Sequence, residues 1–282
     1  MRIVITGAEG MLGRDVARAA TAAGHEPVAL GRSELDITDA AAVRARIAAA
    51  HPQLVVNCAA FTDVDGAEQA EGQARAVNAA GAGNVAAAAA ACGAWVVHVS
   101  SDYVFDGRAR RPYLESDRPA PINAYGRTKL AGERAVAAAA PAVHTIVRSS
   151  WLFGVGGRCF PETILRLARE REQLRVVDDQ VGCPTATADL AEALLGLGLG
   201  RRLVGIVHVA AAGSCSWFEF AREIIARAGL RCAVEPCASG ELPRPARRPA
   251  FTVLRSERPQ PPRLPHWRAG LDRYLAALAV AR

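Results

Sequence analysis

The sequence predicts an α/β fold in which helices cover both faces of a doubly wound parallel sheet. Short apolar runs without polar alternation recur through the first half of the chain, as is typical of strands buried on both faces. Helical stretches separate these runs, and the alternation indicates right-handed crossovers between parallel strands. The runs that we predict as strands are residues 2–6, 26–30, 53–60, 94–101 and 143–150.

The helices between these strands have recognisable ends. Residues 11–24 form a predicted helix that stops at Gly24, residues 39–50 form a second helix, and a third ends near Cys92. A further apolar run at residues 202–211 is interpreted as a strand that rejoins the main sheet.

The composition of the sequence changes after residue 150, where glycine and proline become more frequent. We expect residues 1–150 to form the sheet domain and residues 151–282 mainly to form a smaller C-terminal lobe. Residues 240–265 are basic and rich in proline, so they form neither a regular helix nor a central strand. We interpret them as a surface loop of the lobe or as a segment that closes over a ligand.

Charge and cysteine content limit the partners of this chain. The net charge of +6 suits an anionic ligand, but the arginines are scattered, so nucleic-acid binding is not indicated. The seven cysteines include no CxxC pair, which argues against a disulfide framework or a metal site. Without a signal-peptide pattern or an apolar run that could span a bilayer, we expect a cytoplasmic protein with no membrane partner.

A glycine turn follows the first predicted strand, where Gly7, Gly10 and Gly13 have a GxxGxxG spacing. Gly7 permits a tight turn, Gly10 lets the backbone approach a pyrophosphate, and Gly13 lets the helix pack on the strand. The unpaired N–H groups at the start of the next helix would face the phosphates. Because these glycines lie between a strand and a helix, we predict a Rossmann-like dinucleotide-binding domain in residues 1–150.

The end of the second strand bears on the choice of dinucleotide. Sites that select NAD usually carry an acid there to hold the ribose 2′-hydroxyl. Here Gly31 stands at that position and Arg32 follows, and a guanidinium suits a 2′-phosphate. We therefore predict NADPH as the cofactor, with NADH as the alternative, and Asp36 as a contact to the adenine or its ribose.

Tyr125 and Lys129 are four residues apart in the segment NAYGRTK, so they share one face of a helix. Lys129 is the single lysine among 34 lysines and arginines. We expect its ammonium to lower the pKa of the phenol, making Tyr125 a better general acid, and to hold ribose hydroxyls. Ser100 and Ser101 end the fourth strand, at the edge where such sheets bind ligands, and either hydroxyl could bind a substrate carbonyl.

Motifs along nearly the whole chain resemble the extended short-chain dehydrogenase/reductases, and within them the dTDP-4-dehydrorhamnose reductase family. The motifs that carry the resemblance include ITGAEGMLG, VVNCAAFTDVDGAE, SSDYVFDG, PINAYGRTKLAGE, DDQVGCPT and RRPAFTVL. The resemblance implies that Tyr125, Lys129 and Ser101 are the catalytic residues. It also implies a Rossmann-like domain followed by a lobe that binds the nucleotide-sugar substrate.

The resemblance and the reasoning from single residues together give two sets of binding residues. The set for the cofactor is Gly7, Gly10, Met11, Leu12, Gly13, Arg32, Asp36, Ile37, Ala60, Phe61, Thr62, Val99, Tyr125 and Lys129. The set for the substrate is Ser101, Asp102, Trp151, Val64 and Arg248. Arg248 is the candidate among the lobe's arginines for clamping the nucleotide diphosphate. Gly31, in place of the family's frequent acid, and the segment VLRSE after RRPAFT depart from the family pattern.

A member of this family would use NADPH to reduce the C4 carbonyl of dTDP-4-dehydro-β-L-rhamnose in dTDP-rhamnose biosynthesis. The alternatives are a reductase of another dTDP-4-keto-deoxysugar and a non-catalytic NADP-binding regulatory subunit. A dehydratase is disfavoured because Tyr103, not glutamate, follows Asp102, and the branch-specific motifs argue against an epimerase. A homodimer is compatible with the sequence, which determines neither the oligomeric state nor any magnesium dependence.

Overall fold

The strands predicted in the first half pair into one parallel sheet in the computed structural model, which describes residues 1–280. The described strands are β1 (Arg2–Thr6), β2 (Glu26–Leu30), β3 (Leu54–Asn57), β4 (Trp95–Ser101), β5 (His144–Ser149), β6 (Leu152–Phe153), β7 (Gln173–Val177), β8 (Val181–Gly182), β9 (Thr185–Ala186), β10 (Gly205–His208), β11 (Cys215–Ser216) and β12 (Ala233–Cys237). The sheet has the order β10–β5–β4–β3–β1–β2, and each neighbouring pair in it is parallel. The strand order reverses between β1 and β3, which is where open α/β sheets bind ligands.

Helices cover both faces of this sheet. The described helices are α1 (Met11–Ala22), α2 (Ala40–Ala50), α3 (Gly66–Gln69), α4 (Glu71–Arg75), α5 (Ala82–Ala91), α6 (Ala124–Ala139), α7 (Phe160–Glu170), α8 (Thr187–Leu199), α9 (Trp217–Arg227) and α10 (Trp267–Val280). Helices α1 and α8 pack on one face of the sheet, and α2, α5 and α6 pack on the other. This arrangement confirms the predicted Rossmann-like, doubly wound fold. Within residues 1–280, no helix combines the length and the apolar character that a membrane span needs.

Local sequence explains where several of these elements begin and end. Asp39 caps α2 by accepting hydrogen bonds from the N–H groups of Ala41 and Ala42. Gly24, just beyond α1, has a φ of 73°, which favours glycine and ends the helix as predicted. The alanine-rich stretch before α5 is less regular, because Ala76–Gly81 forms a π-helical turn.

The C-terminal lobe has a core of its own, in which Phe153, Phe220 and Trp267 are buried between α7, α9 and α10. Strands β7 and β12 form a parallel pair in this lobe. The chain also returns to the main sheet, since α8 packs beside α1 and β10 pairs with β5. Residues 187–208 therefore belong to the layers of the sheet domain.

The proline-rich segment 240–265 is an internal connection with little regular structure. A 3₁₀ turn at Ser239–Glu241 leads into it, and no regular helix or strand follows within the segment. Ala246 and Thr252 are buried, and Leu254 makes an isolated bridge to Tyr113 of the first half. The segment therefore packs against the sheet domain, and its two interpretations, as a surface loop of the lobe or as a segment that closes over a ligand, stay predictions.

Candidate active site

The turn between β1 and α1 has a backbone conformation and a close packing that require glycine at two positions. Gly7 has a φ of 68°, and a Cβ there would lie 2.6 Å from the backbone nitrogen of Ala59. A Cβ on Gly13 would lie 2.3 Å from the carbonyl oxygen of Gly7, so glycine lets α1 pack this closely. Gly10 precedes α1, and no side chain caps this end of the helix.

The first turn of α1 therefore presents backbone N–H donors at the point where the strand order reverses. Met11 and Leu12 begin this turn, and a Cβ on Gly10 would meet no neighbour closer than 3.4 Å. An uncapped helix N-terminus with room above its glycine fits a pyrophosphate. This donor set is compatible with the dinucleotide that the sequence predicts.

Two carboxylates share the corner where β2 ends. Glu9 accepts a hydrogen bond from the N–H of Arg32 at 3.3 Å, and Glu34 accepts one from the N–H of Gly31 at 2.7 Å. A Cβ on Gly31 would lie 2.5 Å from the carboxyl carbon of Glu9. The side chain of Glu9 can therefore take this position only because residue 31 is a glycine. Glu9, from the glycine turn, thus places a carboxylate close to residue 31, where sites that select NAD usually have an acid. The exposed Arg32 offers a cation at the same corner.

Asp36 and Ile37 have different surroundings from one another. Asp36 accepts hydrogen bonds from the N–H and the hydroxyl of Thr38, and these bonds, aided by the charge of Arg32, lower its pKa. Ile37 is buried in the core, where its side chain packs against Gly81. The side chain of Ile37 therefore packs in the core, and its assignment to the adenine side of the cofactor stays a prediction.

A buried amide shapes the loop that follows β3, which contains Ala60, Phe61 and Thr62. Asn78, in the π-helical turn, accepts a hydrogen bond from the N–H of Phe61 at 2.8 Å and donates one to its carbonyl at 3.1 Å. Asn78 also donates to the hydroxyl of Thr128 on α6 at 3.0 Å. The amide thereby joins this loop to α6, and single π-helical turns often occur at functional sites.

Tyr125 and Ser101 come together where β4 ends. Asn123 caps α6 by accepting a hydrogen bond from the N–H of Gly126 at 2.8 Å, so Tyr125 lies in the first turn of that helix. A Cβ on Gly126 would lie 2.1 Å from the carbonyl oxygen of Tyr103, which shows how closely α6 approaches the turn after β4. Ser101 accepts from the N–H of Tyr103 at 3.1 Å, and its hydroxyl is close enough to Tyr125 to favour the phenolate.

The pKa of Tyr125 moves in the direction opposite to the one expected from the sequence. Burial raises it to about 12, the Ser101 hydroxyl lowers it, and the Asp102 carboxylate adds to the rise. Lys129 does not reverse this shift, and its ammonium donates a hydrogen bond to the carbonyl oxygen of Val99 at 2.7 Å. Tyr125 is therefore a neutral phenol at neutral pH, which is the state that a proton donor requires.

Lys129 itself is only 2% exposed. Burial lowers its pKa to about 8, while Glu133, one turn further along α6, acts in the opposite direction. An ammonium has three N–H donors, and the carbonyl of Val99 uses one of them. Lys129 is thus fixed by the strand end and keeps donors for other acceptors.

Asp102 is a second buried ionisable group, next to Ser101. Its Oδ1 accepts a hydrogen bond from the Ser101 hydroxyl at 3.0 Å, whereas its Oδ2 has no hydrogen-bond partner within residues 1–280. Burial raises the pKa of Asp102 to about 7, although nearby hydroxyl groups oppose the rise. A buried carboxyl oxygen that lacks a partner is suited to accept a hydrogen bond from a ligand.

A cavity of about 840 Å³ lies between the sheet domain and the lobe. Val64 and Arg248 line it, as do Tyr103 and Trp217. Tyr103 connects this cavity to the catalytic groups, because its ring centroid is 5.7 Å from that of Tyr125. A cavity of this volume is in the range that proteins use for small organic ligands.

The cavity carries a concentration of positive charge. The arginines that line it are Arg175, Arg244, Arg247 and Arg248. Asp65 pairs with Arg244 at 3.5 Å and with Arg248 at 3.0 Å, and it accepts a hydrogen bond from the N–H of Ala246 at 3.1 Å. Asp65 therefore fastens the segment 240–265 to the loop after β3 and partly neutralises the charge beside the cavity.

Trp151 lies beside this cavity in an unusual backbone conformation. Its φ is 49°, which is rare for a bulky residue. The ring stacks on Trp217 with centroids 3.4 Å apart and planes 3° from parallel. Gly182 makes room for the indole, since a Cβ there would lie 2.4 Å from the ring. In this conformation Trp217 lines the cavity and Trp151 packs next to it.

Comparison with known proteins agrees with this geometry. The family model described as the RmlD substrate binding domain matches residues 1–280. A dTDP-4-dehydrorhamnose reductase from Mycolicibacterium smegmatis is 47% identical over 286 residues, covering 99% of this chain and 86% of that protein. The chain belongs to the dTDP-4-dehydrorhamnose reductase family. The resemblance that the motifs indicate is thereby confirmed.

Two further relatives bear on the ligands of the family. The crystal structure of a dTDP-4-dehydrorhamnose reductase from Bacillus anthracis in complex with NADP matches with a TM-score of 0.93 and 38% identity, covering 98% of this chain and 99% of that one. A dTDP-4-keto-6-deoxy-D-glucose reductase from Streptomyces niveus is 43% identical, covering 90% of this chain and 88% of that protein. Relatives of similar identity are therefore named for different 4-keto sugars, so sequence identity alone does not select one of these sugars as the substrate.

Several groups near the site were missed by reasoning from the sequence. Tyr103 follows Asp102 directly in the motif SSDYVFDG, so its place at the strand end could have been recognised. Asn78 and Asp65 gave no such signal, because their partners lie in distant parts of the chain. Trp217 was also missed, since only the tertiary structure stacks it on Trp151.

Proposed function

We propose that this chain is an NADPH-dependent reductase that converts the C4 keto group of dTDP-4-dehydro-β-L-rhamnose to the alcohol, giving dTDP-β-L-rhamnose. The observation that carries the proposal is that β4 ends with Ser101 beside Tyr125 and holds the ammonium of Lys129 at the carbonyl of Val99, while the glycine turn is suited to a dinucleotide. Membership of the family supports the same reaction, as does the NADP bound to the Bacillus anthracis relative.

In this proposal Tyr125 is the general acid. NADPH, when bound, supplies the hydride for the carbonyl carbon. Tyr125 donates its phenolic proton to the carbonyl oxygen as negative charge develops there. Ser101, whose single proton goes to Asp102 in this structure, would turn to donate its hydrogen bond to the same oxygen. Burial keeps the phenol protonated at neutral pH, since the pKa of Tyr125 is about 12. The chain thus holds a proton where the reaction consumes one.

Lys129 and the glycine turn would orient the cofactor. The ammonium of Lys129 is held by the carbonyl of Val99 and has further donors for the hydroxyls of the nicotinamide ribose. Met11, Leu12 and Gly13 would bind the pyrophosphate through backbone N–H groups, and Arg32 would bind the 2′-phosphate. Fixing both reactants in one cleft supplies a large part of the rate acceleration of such reactions.

The arginine-lined cavity would hold the nucleotide part of the substrate. Arg248 offers a guanidinium that can bind a diphosphate through two hydrogen bonds, and Val64 and Tyr103 offer apolar surface. Arg248 pairs with Asp65 in this structure, so a diphosphate would compete with that carboxylate. Asp102, with one oxygen lacking a partner, is the candidate acceptor for a sugar hydroxyl.

Oxidation of NADPH, followed by absorbance, tests this function. The chain should turn over dTDP-4-dehydrorhamnose, and dTDP-4-keto-6-deoxy-D-glucose is the comparison substrate because a 43% identical relative carries that name. A higher kcat/KM for the second sugar would favour the alternative reductase. The absence of turnover with both, in a protein that still binds NADPH, would favour the regulatory subunit.

We also infer that the enzyme works in the cytoplasm. The structure pairs none of the seven cysteines in a disulfide, as is usual in a reducing compartment. Fractionation of cells that express the tagged chain tests this location. The homodimer stays a prediction, and light scattering coupled to size-exclusion chromatography measures it.

A further inference from the structure

A buried ion pair joins α6, the helix that carries Tyr125 and Lys129, to the middle of the sheet. Arg148 on β5 donates from Nε and from a terminal nitrogen to the two oxygens of Glu133, at 2.8 and 2.7 Å. Arg148 is 1% exposed and Glu133 is 3% exposed. Two parallel N–H···O bonds are the most specific geometry that this pair can adopt, so they restrict how the helix can rotate.

Both partners have additional contacts that extend the network. The hydroxyl of Ser100 on β4 donates to Glu133 at 2.6 Å. Arg148 lies 3.4 Å from Nε2 of His208 on β10, and its guanidinium carbon is 5.0 Å from the ring centroid of Phe105. The network therefore ties α6 to three neighbouring strands and to the turn after β4.

Two members of this network, Glu133 and Ser100, are adjacent to the catalytic groups. Glu133 is one helical turn after Lys129 and two turns after Tyr125, so the three side chains lie along one face of α6. Ser100 immediately precedes Ser101 on β4. A rotation of α6 that broke the bonds to Glu133 would also move Tyr125 away from Ser101.

We propose that the Glu133–Arg148 ion pair sets the rotation of α6 against the sheet and that Glu133 is a positioning residue for Tyr125 and Lys129. The proposal rests on the reductase function proposed above, since its kinetic consequence is a loss of turnover. Glu133 acts through the two catalytic side chains and has no contact with the reacting atoms in this assignment.

Glu133 also acts on the charge of its neighbour. It favours the protonated form of Lys129, whose pKa is otherwise lowered by burial. The other titratable groups around Lys129 are Tyr125 one turn earlier on α6, Cys58 after β3 and His98 on β4. Burial, followed by the charge of Lys129, holds the pKa of His98 well below its usual value, so this imidazole is neutral. Glu133 is thus the negative charge that supports the ammonium from its own helix, and Arg148 is the cation that faces Glu133 from β5.

Two variants separate this role from a contribution to stability alone. Glu133→Gln removes the charge and keeps a side chain of similar size. The double variant Glu133→Leu, Arg148→Met replaces both partners with apolar side chains, so it leaves no buried charge unpaired and serves if the single variant does not fold. The matched control is Glu71→Gln. Glu71, on α4, pairs at 2.7 Å with Arg127 on the exposed side of α6, so this variant removes an ion pair of α6 that is not buried.

The kinetic measurement is the oxidation of NADPH with the nucleotide sugar. We expect each Glu133 variant to lower kcat by roughly tenfold to a hundredfold, since small displacements of catalytic groups have effects of this size. The KM for NADPH should change less than kcat, because the contacts proposed for the glycine turn and Arg32 are not altered and only the contact of Lys129 with the ribose is disturbed. Glu71→Gln should retain the wild-type kcat.

A second measurement needs neither substrate nor turnover. Lys129 is the single lysine, so ¹³C-labelled lysine gives one Cε signal whose chemical shift follows its ionisation. We expect the pKa of Lys129 to fall by roughly one unit or more in the Glu133 variants and to stay unchanged in Glu71→Gln. Folded variants with a wild-type kcat and a wild-type Lys129 titration would overturn the proposal. An inactive wild-type protein would refute the reductase function, and the titration would still test the effect of the Glu133 charge on Lys129.

Discussion

Replacing Lys129 with methionine removes a buried ammonium, and we expect the resulting change in stability to depend on pH. Burial lowers the pKa of Lys129 from its ordinary value of 10.5 to about 8 in the folded chain. Below pH 8 the lysine is charged in both the folded and the unfolded chain, so the full cost of burying that charge is present. Between pH 8 and 10.5 the unfolded chain binds a proton that the folded chain does not, so stability rises with pH.

The size of this effect follows from the pKa difference. Each pH unit between the two pKa values changes the free energy of unfolding by roughly 1.4 kcal/mol. Relative to Lys129→Met, the wild-type protein should therefore gain roughly 2–3 kcal/mol between about pH 7 and about pH 10. Other groups titrate in the same range, but those distant from Lys129 contribute equally in the two proteins and cancel in the difference.

Guanidinium chloride unfolding of both proteins at these two pH values measures the difference in the free energy of unfolding. We also expect Lys129→Met to lose turnover by orders of magnitude, because the variant lacks the ammonium that would hold the ribose. A stability difference between the two proteins that does not change with pH would refute the argument from burial. Lys129 would then have the same pKa in the folded and the unfolded chain, as an exposed lysine does, despite its 2% exposure.

Tyr125→Phe removes the proton donor and keeps the ring, so NADPH binding measured by fluorescence should persist while kcat falls by roughly 10²–10⁴. A kcat close to the wild-type value would exclude Tyr125 as the general acid. Arg32→Ala should weaken the binding of NADPH much more than that of NADH, since only NADPH carries the 2′-phosphate. Equal losses in the two titrations would contradict the role of Arg32. Gly13→Ala places a Cβ 2.3 Å from a backbone carbonyl oxygen and should destabilise the fold by about 1–3 kcal/mol. Gly196→Ala is the matched control, because this exposed position in α8 has no neighbour within 4 Å, and it should stabilise by up to about 1 kcal/mol. Thermal unfolding compares the two glycine variants, and a Gly13→Ala protein as stable as Gly196→Ala would contradict the close approach of α1.

Local patterns were sufficient to predict the strands of the main sheet and the first helices. The apolar runs at residues 2–6 and 94–101 became β1 and β4 because strands buried on both faces need uninterrupted apolar side chains. Tyr125 and Lys129 could be paired from the sequence for a similar reason, since an interval of four residues fixes their relation on a helix. The predictions succeeded where neighbours along the chain are also neighbours in space.

The remaining features depend on contacts between distant segments. The π-helical turn that carries Asn78 lies in an alanine-rich stretch, and nothing local distinguishes it from an ordinary helix. Asp65 holds Arg248 across 183 positions of the chain, so the path of the proline-rich segment could not be read from its composition. The pKa of Tyr125 was expected to fall because the sequence gives the proximity of Lys129 but not the extent of burial, which dominates the shift.

The presence of a single lysine is explained by how its surroundings differ from those of the arginines. Arg148 meets a carboxylate through two parallel hydrogen bonds, which suit a planar guanidinium. Lys129 meets one carbonyl oxygen in a buried space, where its pKa falls to about 8. A guanidinium at residue 129 would stay charged and would require acceptors for five N–H donors beside the carbonyl of Val99. A guanidinium therefore suits residue 148, where a carboxylate pairs with it, whereas residue 129 requires a charge that is compact and can respond to burial.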